Sequence, residues 1–458
     1  MTLTRDCVDW AFSAVDRIPR SRLERTRVLV ADSFAIGLAA GGRSDVARRT
    51  IESLTEGAGG TCRILGTRRT APPVQAAFAN AALAHALDFD DTHDWARIHT
   101  TTVLLPAAMA VAEATDVGGD RVLRAVTVGA ELMCRWALSA LADPRSRAGS
   151  WYLTQLLGGI GAAVTAGLVY GLDEEESVCA VGHAVDQASG AKASSQEGDG
   201  RSVYPGYAVA QGVSAVLLAR GGLRGASDAL EGESGLWRTH LGVEAPGRFH
   251  LPGPDEEWES DDVVVKPWPG CRAGHPYIDA VRRLPEEILR DPEGIEGVTV
   301  AVDSVGARLC RPLSRRRRPR TLAEAGFSVP FMVALALARE GAVDLRTMTG
   351  PALGDPLVLS LADRIVPDHR LSDGSGYARA EAVVVHRGRE LCVTGSSSPE
   401  PGPVERRAKF SSCLEHGGWG HHEKELRDAI EGFDAAPARN LFDTIEEFER
   451  SSAHHVNL

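Results

Sequence analysis

The densest set of chemistry-bearing side chains is His85-Ala86-Leu87-Asp88-Phe89-Asp90-Asp91-Thr92-His93-Asp94, followed by His99. His85 and Asp88 fall one turn apart at the end of an alanine-rich stretch, and the acidic residues occupy the turn after it. Imidazole and carboxylate together supply a proton carrier and the group that orients it. The same residue types ligate divalent cations, although this spacing matches neither HExxH nor an EF-hand loop. A solvated, acid-rich helix end would have the same composition. Spacing alone leaves all three readings open.

Three further constellations accompany it. Gly149-Ser150-Trp151-Tyr152-Leu153-Thr154 precedes Gly158-Gly159-Ile160-Gly161. A glycine-rich turn entering a helix can cradle an anion on its N–H groups. Here, however, no G-x-G-x-x-G is completed and no strand leads in, so glycines that permit close helix packing are the plainer reading. Lys266-Pro-Trp-Pro-Gly-Cys271-Arg272-Ala-Gly-His275-Pro fixes the backbone right after a lysine. A lysine held there and partly desolvated can act as a proton-transfer group, with Cys271, Arg272 and His275 offering carboxylate-binding and acid/base groups. A turn with surface-exposed cations fits equally well. Asp199-Gly-Arg201-Ser-Val-Tyr204-Pro-Gly206 reads as another restricted turn carrying a cation, and Arg315 to Arg318 as a solvated basic loop. Neither a G-x-S-x-G elbow nor a P-loop is present.

The elements that must position these groups are mostly helices. Apolar residues recur at helical spacing from Leu3 to Ile18. Ser21 can cap a helix running to Gly41-Gly42. Residues 73–87 are alanine-rich without a β-branched run, and further helices are expected at 105–116, 120–141, 156–171, 173–188 and 206–219. Asp173 and the glutamates after it suit a helix N-terminus. Residues 246–262 read as a Pro-rich acidic linker. Beyond it, strands are expected at 297–303, 381–386 and 390–395, the last two joined at Arg387-Gly388, with helices at 276–290, 321–339 and 354–365. The tail from about 403 returns to helix, at 422–432 and 440–451. The expected fold is mainly α: a helical domain over 1–262 completed by 403–458, and an α+β domain over 263–402.

With 458 residues there is room for two or three domains of about 150 residues each. Apolar residues at 43% and charged residues at 24% exclude a disordered chain. Fifty Lys and Arg against 62 Asp and Glu leave a net charge of −12, which argues against the basic surface of a nucleic-acid binder. The eight scattered cysteines form no CxxC pair, which suits a reducing cytoplasm better than a zinc knuckle or disulfide framework. The N-terminal residues MTLTRDCVDWAF carry charges where a signal peptide needs an apolar run. Residues 149–172 are uncharged, but Thr154, Gln155, Thr165 and several glycines interrupt them. That pattern suits a buried core helix better than a bilayer span of about 18–20 apolar residues. A cytoplasmic protein without membrane or nucleic-acid partners is the expectation.

In their order along the chain these segments resemble the MmgE/PrpD family, which includes 2-methylcitrate dehydratase, cis-aconitate decarboxylase and iminodisuccinate epimerase. The resemblance rests on ALAHALDFDDTH with the later His99, on LLPAAMAVAEA at 104–114, and on LLGGIGAAVTAGLVYGL at 156–172. YPGYAVAQGVSAVLLARGGLRG at 204–225, VKPWPGCRAGHPYIDAV at 265–281 and AGFSVPFMVALAL at 325–337 complete it.

The resemblance implies a large all-helical domain and a smaller α+β lid domain with the active site between them. It also implies a homodimer, no organic cofactor and no metal. By position, Asp88, Thr92, His99 and Lys266 match the family's catalytic residues, His275 matches the histidine that follows the lysine, and Cys271 sits where decarboxylase members carry histidine. Two positions depart from the pattern. Tyr152 stands where histidine is usual, as in the epimerase branch, and Arg201 stands where a lysine is expected. Arginine grips carboxylates and is a poor proton carrier.

The implied activity is that of a cofactor-independent lyase or isomerase removing the proton α to a carboxylate of a small polycarboxylate. Lys266 or Tyr152 would be the base, His99 and Asp88 would act opposite, and Arg201, Cys271, Arg272 and His275 would bind substrate. Epimerisation with Tyr152 and Lys266 as two bases is the alternative. A degenerate carboxylate-binding or scaffold protein is a third reading.

Overall fold

The computed structural model describes residues 2–192, 200–247, 249–372, 379–396 and 400–445. It is mainly α, and it divides into two compact units. The first comprises residues 1–86, 90–265 and 413–458; the second comprises 87–89 and 266–412.

The first unit is built on α1 (Leu3–Val15), α2 (Arg20–Arg43), α3 (Asp45–Thr55), α4 (Pro73–His85), α5 (Thr101–Thr115), α6 (Gly119–Ala142), α7 (Leu153–Tyr170), α8 (Glu174–Asp186) and α9 (Gly200–Arg220). Two short antiparallel ladders accompany them: β1 (Cys62–Arg63) with β2 (Thr70–Ala71), and β3 (Thr92–His93) with β4 (Val263–Val264). Helix α7 is the core element, buried from Leu153 to Val169 and packed on α5, α6, α8 and α9.

Glycines set how closely these helices approach. A Cβ on Gly212 of α9 would lie 2.5 Å from the Ala162 Cβ and 2.7 Å from the Gly159 carbonyl of α7. One on Gly206 would meet the Phe78 ring of α4 at 2.6 Å. Burial covers 94% of the apolar window of α7 and 72% of that of α6, as the core-helix reading of 149–172 expects. Asp173 caps α8 in a reciprocal capping box with Glu176.

In the second unit a four-stranded sheet runs in the order β6-β5-β7-β8, from β5 (Ile295–Ala301), β6 (Ile365–Asp368), β7 (Arg379–His386) and β8 (Arg389–Ser396). Strand β5 is parallel to β6 and antiparallel to β7, and β7–β8 is a hairpin. Both turn residues, Arg387 (φ 47°) and Gly388 (φ 74°), take positive φ, which matches the right-handed strand twist. Helices α10 (His275–Arg282), α11 (Val329–Ala338) and α12 (Pro356–Asp363) pack with this sheet around an apolar core. Helix α13 (Pro403–Gly417) returns the chain to the first unit, and α14 (Glu423–Glu431) follows.

Several expectations are corrected. Helix α2 starts at Arg20 after Pro19, without a side-chain cap from Ser21, and continues through Gly41-Gly42 to Arg43. The Gly158–Gly161 stretch lies inside α7 rather than at its start, so its N–H groups belong to the helix and cannot cradle an anion. The expected 276–290 helix ends at Arg282, and Pro285 opens the separate turn Glu286–Leu289. The expected 321–339 helix breaks at Ser328, whose side chain caps α11. The expected 354–365 helix is found as α12, Pro356–Asp363, with strand β6 following from Ile365.

The 246–262 segment is no free linker. Trp258 is buried at 5.3 Å from Trp10, and the Trp10 indole donates to the Pro252 carbonyl at 2.8 Å. Arg315 and Arg318 pair with Glu324 and Asp363, and Arg317 donates to the Ile365 carbonyl, so this run braces the fold. Residues 440–445 are helical, and 446–451 of the expected 440–451 helix lie outside the described residues, as does Asp199.

Gly212→Val is expected to destabilise the protein by about 2 kcal/mol, the usual cost of overpacking. Gly59→Ala, whose Cβ meets nothing within 4 Å, should fall within about 0.5 kcal/mol of the parent. Urea denaturation checks both. An unchanged midpoint for Gly212→Val would mean that the close α7–α9 approach is not what holds this core.

Candidate active site

Helix α4 ends at His85, and the chain re-enters the first unit at Asp90. The Asp90 carboxylate is fully buried. Its Oδ2 accepts a hydrogen bond from His85 Nδ1 at 2.9 Å and lies 3.2 Å from His99 Nδ1. Burial alone would raise its pKa, but the two imidazoles outweigh that and hold the carboxyl well below the usual carboxylate range. His99 Nδ1 also lies 2.7 Å from the Asp91 carbonyl. A carbonyl only accepts, so that nitrogen carries hydrogen. The ionised Asp90 likewise fixes hydrogen on His85 Nδ1, which leaves His85 Nε2, in the neutral ring, as an acceptor.

Tyr152 supplies the proton for that acceptor. Its hydroxyl stands 3.3 Å from His85 Nε2, long for an O–H donor, as acid/base contacts without substrate commonly are. The residue sits just before α7, where its backbone N–H donates to the Gly190 carbonyl at 2.8 Å. A side chain at Gly190 (φ 134°) would be strained, and its Cβ would crowd the Tyr152 carbonyl at 3.0 Å. Thr154, in the first turn of α7, accepts from the His99 backbone N–H at 3.1 Å. The Tyr204 ring lies 5.2 Å from that of Tyr152, and its buried hydroxyl has no hydrogen-bond partner among the described residues.

The acidic run therefore separates into different tasks. Asp91 accepts from the Thr100 hydroxyl at 2.7 Å and from the Thr100 and Thr101 N–H groups, securing the N-terminus of α5. Thr92 is buried in β3, paired with Val264. His85, Asp90 and His99 place possible ligand atoms within 4.8 Å of one another, as do His93, Glu259 and Asp262. Both Nδ1 atoms in the first group face acceptors as N–H donors. In the second, the Ala96 N–H donates to His93 Nδ1 at 3.1 Å, which puts the neutral ring's hydrogen on Nε2. The first donor set favours a hydrogen-bond network over ligation; in the second, His93 Nε2 is buried without a hydrogen-bond partner among the described residues.

The second unit holds a different cluster. Lys266 is fully buried, and its Nζ donates to Asp88 Oδ1 at 2.6 Å and to the Asp88 carbonyl at 3.0 Å. Asp88 has φ +48°, unusual for a residue other than glycine, and the Gly270 N–H holds its carbonyl at 2.9 Å. Close by in the chain, Arg272 Nη1 reaches His275 Nδ1 at 3.3 Å, and Trp268 packs on the His275 ring at 5.4 Å. Cys271 is half-buried, with its N–H on the Gly326 carbonyl at 2.8 Å. From α13, Lys409 stands 3.8 Å over the Phe89 ring and donates to the Phe89 carbonyl. Burial, with Arg272, Lys266 and Lys409 adding positive potential, holds His275 well below the ordinary imidazole pKa.

Of the residues singled out in the sequence, Tyr152 and His99 join one cluster, and Asp88, Lys266, Cys271, Arg272 and His275 lie in the other unit. Arg201 is in the first turn of α9 rather than in a turn preceding a helix. Sequence reasoning passed over His85 and Asp90 as site residues, although the H-x-x-x-x-D spacing across a helix end was the available signal. Nothing in the sequence pointed to Lys409. A cavity of about 520 Å³, lined by Thr61, Arg63, Glu113, Arg439 and Phe442 among others, belongs to the first unit and includes none of these residues.

The unfolded chain binds a proton at histidine near pH 6.5, whereas the buried His275 ring takes one up only at lower pH. Its contribution to stability is therefore complete above that range and is lost as pH falls through it, with a slope of up to about 1.4 kcal/mol per pH unit. His275→Gln should flatten the fall in thermal midpoint between pH 7.5 and 5.5. An equally steep fall in the variant would assign the acid sensitivity elsewhere.

Residues 9–247 match the MmgE/PrpD N-terminal domain and residues 268–426 the MmgE/PrpD C-terminal domain. A cis-aconitate decarboxylase from Aspergillus terreus is 26% identical over 386 residues, covering 80% of this chain and 78% of its own. The cis-aconitate decarboxylase-like protein oryM from Aspergillus oryzae is 30% identical over 58% of each chain. The cis-aconitate decarboxylase of Mus musculus is 25% identical over 78% of this chain and 73% of its own. Matched by both family domains across most of its length, the chain belongs to the MmgE/PrpD family and is an enzyme.

Proposed function

We propose that the chain is a cofactor-independent lyase acting on a small polycarboxylate, with cis-aconitate as the first acid to test. The supporting observation is the Asp90–His85–Tyr152 series of contacts, with His99 on the same carboxylate. It provides a phenol whose proton has an acceptor, next to a second imidazole. In this reading Tyr152 exchanges a proton with the substrate carbon, assisted by His99. Lys266 and Asp88 form the second proton-handling pair, and Thr92 assists them. Arg201, Arg272, His275 and Cys271 receive the carboxylates, and fixed positive charge stabilises the enolate that develops.

A decarboxylation so run breaks one C–C bond, leaves its electron pair in the conjugated system, releases CO₂ and takes up one proton at carbon. The relatives' names support the decarboxylase form. Tyr152 supports a second reading, epimerisation, because a phenol and an amine, Tyr152 and Lys266, can serve as its two bases. Both outcomes pass through a carbanion delocalised into a neighbouring carboxylate, formed by loss of CO₂ in the first and by loss of a proton in the second, and each is completed by protonation at carbon.

Incubation in D₂O with cis-aconitate, citrate, methylcitrate and iminodisuccinate separates them. CO₂ release or water loss identifies the lyase, and deuterium incorporation with inversion alone identifies the epimerase. Tyr152→Phe should lower the rate at least about 100-fold, the usual scale for a lost acid/base group, with little change in thermal midpoint. Lys266→Met should lower the rate on the same scale, but with a fall in thermal midpoint, because it removes the buried cation that Asp88 pairs with. Full activity in Tyr152→Phe would contradict the proposed role, and no reaction across the panel would contradict the substrate class.

A further inference from the structure

We infer that His85, held by Asp90, is a positioning residue that makes Tyr152 a proton carrier near neutral pH. The inference deepens the reading of Tyr152 given above and rests on it. An isolated phenol titrates near 10 and is almost wholly protonated at neutral pH. Beside an imidazole whose far nitrogen is fixed to a buried carboxylate, its proton has somewhere to go. Transfer from Tyr152 Oη to His85 Nε2 leaves a phenolate next to an imidazolium, and Asp90 at 2.9 Å stabilises that cation. No proton is lost from the pair, so the phenolate forms without drawing on solvent.

The logic is that of a nucleophile–imidazole–carboxylate triad with a phenol at its end. The geometry is specific on both sides. His85 is 3% exposed and Asp90 not at all, so water cannot substitute readily for either contact. The His85 and His99 rings pack edge to face, centroids 5.0 Å apart at an interplanar angle of 68°, which holds the His85 ring against rotation. Tyr152 is fixed by its backbone bond to Gly190, and the Tyr204 ring packs beside it.

The base becomes available by transfer within the pair, Tyr152 Oη giving its proton to His85 Nε2. Without His85, the phenol must lose its proton to solvent.

Two measurements test this. The first needs no turnover. In protein labelled with ¹⁵N-histidine and assigned with His85→Gln, the His85 Nε2 resonance should move when Tyr152 becomes Phe. It should also lose its fixed tautomer in Asp90→Asn. An Nε2 resonance indifferent to Tyr152→Phe would overturn the inference.

The second uses whichever acid the parent enzyme converts. His85→Asn should lower kcat at least tenfold with KM within twofold, and shift the ascending limb of the pH profile upward by more than one unit. Asp90→Asn should shift it in the same direction by less. A lowered kcat with the limb unmoved would make His85 merely structural and would overturn the inference. If the parent converts none of the acids, the proposed function fails while the resonance measurement still decides the role of His85.

Discussion

A carboxylate with no exposure to solvent is the constraint on which the first unit's chemistry depends. Burying an unpaired Asp90 would cost several kcal/mol, and the N–H groups of His85 and His99 offset that cost by holding it ionised. The same bonds settle which nitrogen of each ring carries hydrogen. They also tie the end of α4 to the strand-and-turn segment that leads into α5. Tyr152 joins through His85, and Thr154 joins through the His99 backbone. Geometry at this scale needs a rigid frame. The close glycine-mediated approach of α7 to α9 supplies it, because α7 carries both Tyr152 at its start and the most deeply buried surface of the unit.

The second unit solves a parallel problem with the signs exchanged. Its buried cation, Lys266, finds its carboxylate in Asp88, a residue forced into the left-handed region and secured by Gly270. Asp88 and Asp90 lie two positions apart in sequence, yet one serves the ammonium of the second unit and the other the imidazoles of the first. A short acidic run that looks like one cluster is thus divided between two electrostatic environments. Like charges so near in sequence are tolerated because each has its own cationic or N–H partner.

Much of this was legible in the residues. Helical periodicity and alanine content located α4 to α9 closely, the acidic start of α8 gave its capping box, and Arg387-Gly388 gave the hairpin turn. The errors have local physical causes. Pro285 and Ser328 cut helices whose apolar pattern runs on, and a buried Trp258 turns an apparent linker into packed surface. Tyr152, His99 and Lys266 could be picked out by residue type and family resemblance. His85 and Asp90 could not be promoted above their neighbours, because a sequence does not say which of seven acidic or imidazole groups shares a proton with which. Lys409 was beyond reach, since its contact with Phe89 joins residues more than three hundred positions apart.

The most direct measurement is a crystal structure of the enzyme with cis-aconitate, or with a saturated tricarboxylate analogue bound in its place. The account predicts a substrate carbon within about 3.5 Å of the Tyr152 hydroxyl, the reach of a near-attack contact. A ligand seated instead among Arg63, Arg439 and Phe442, with Tyr152 still closed on His85, would contradict it.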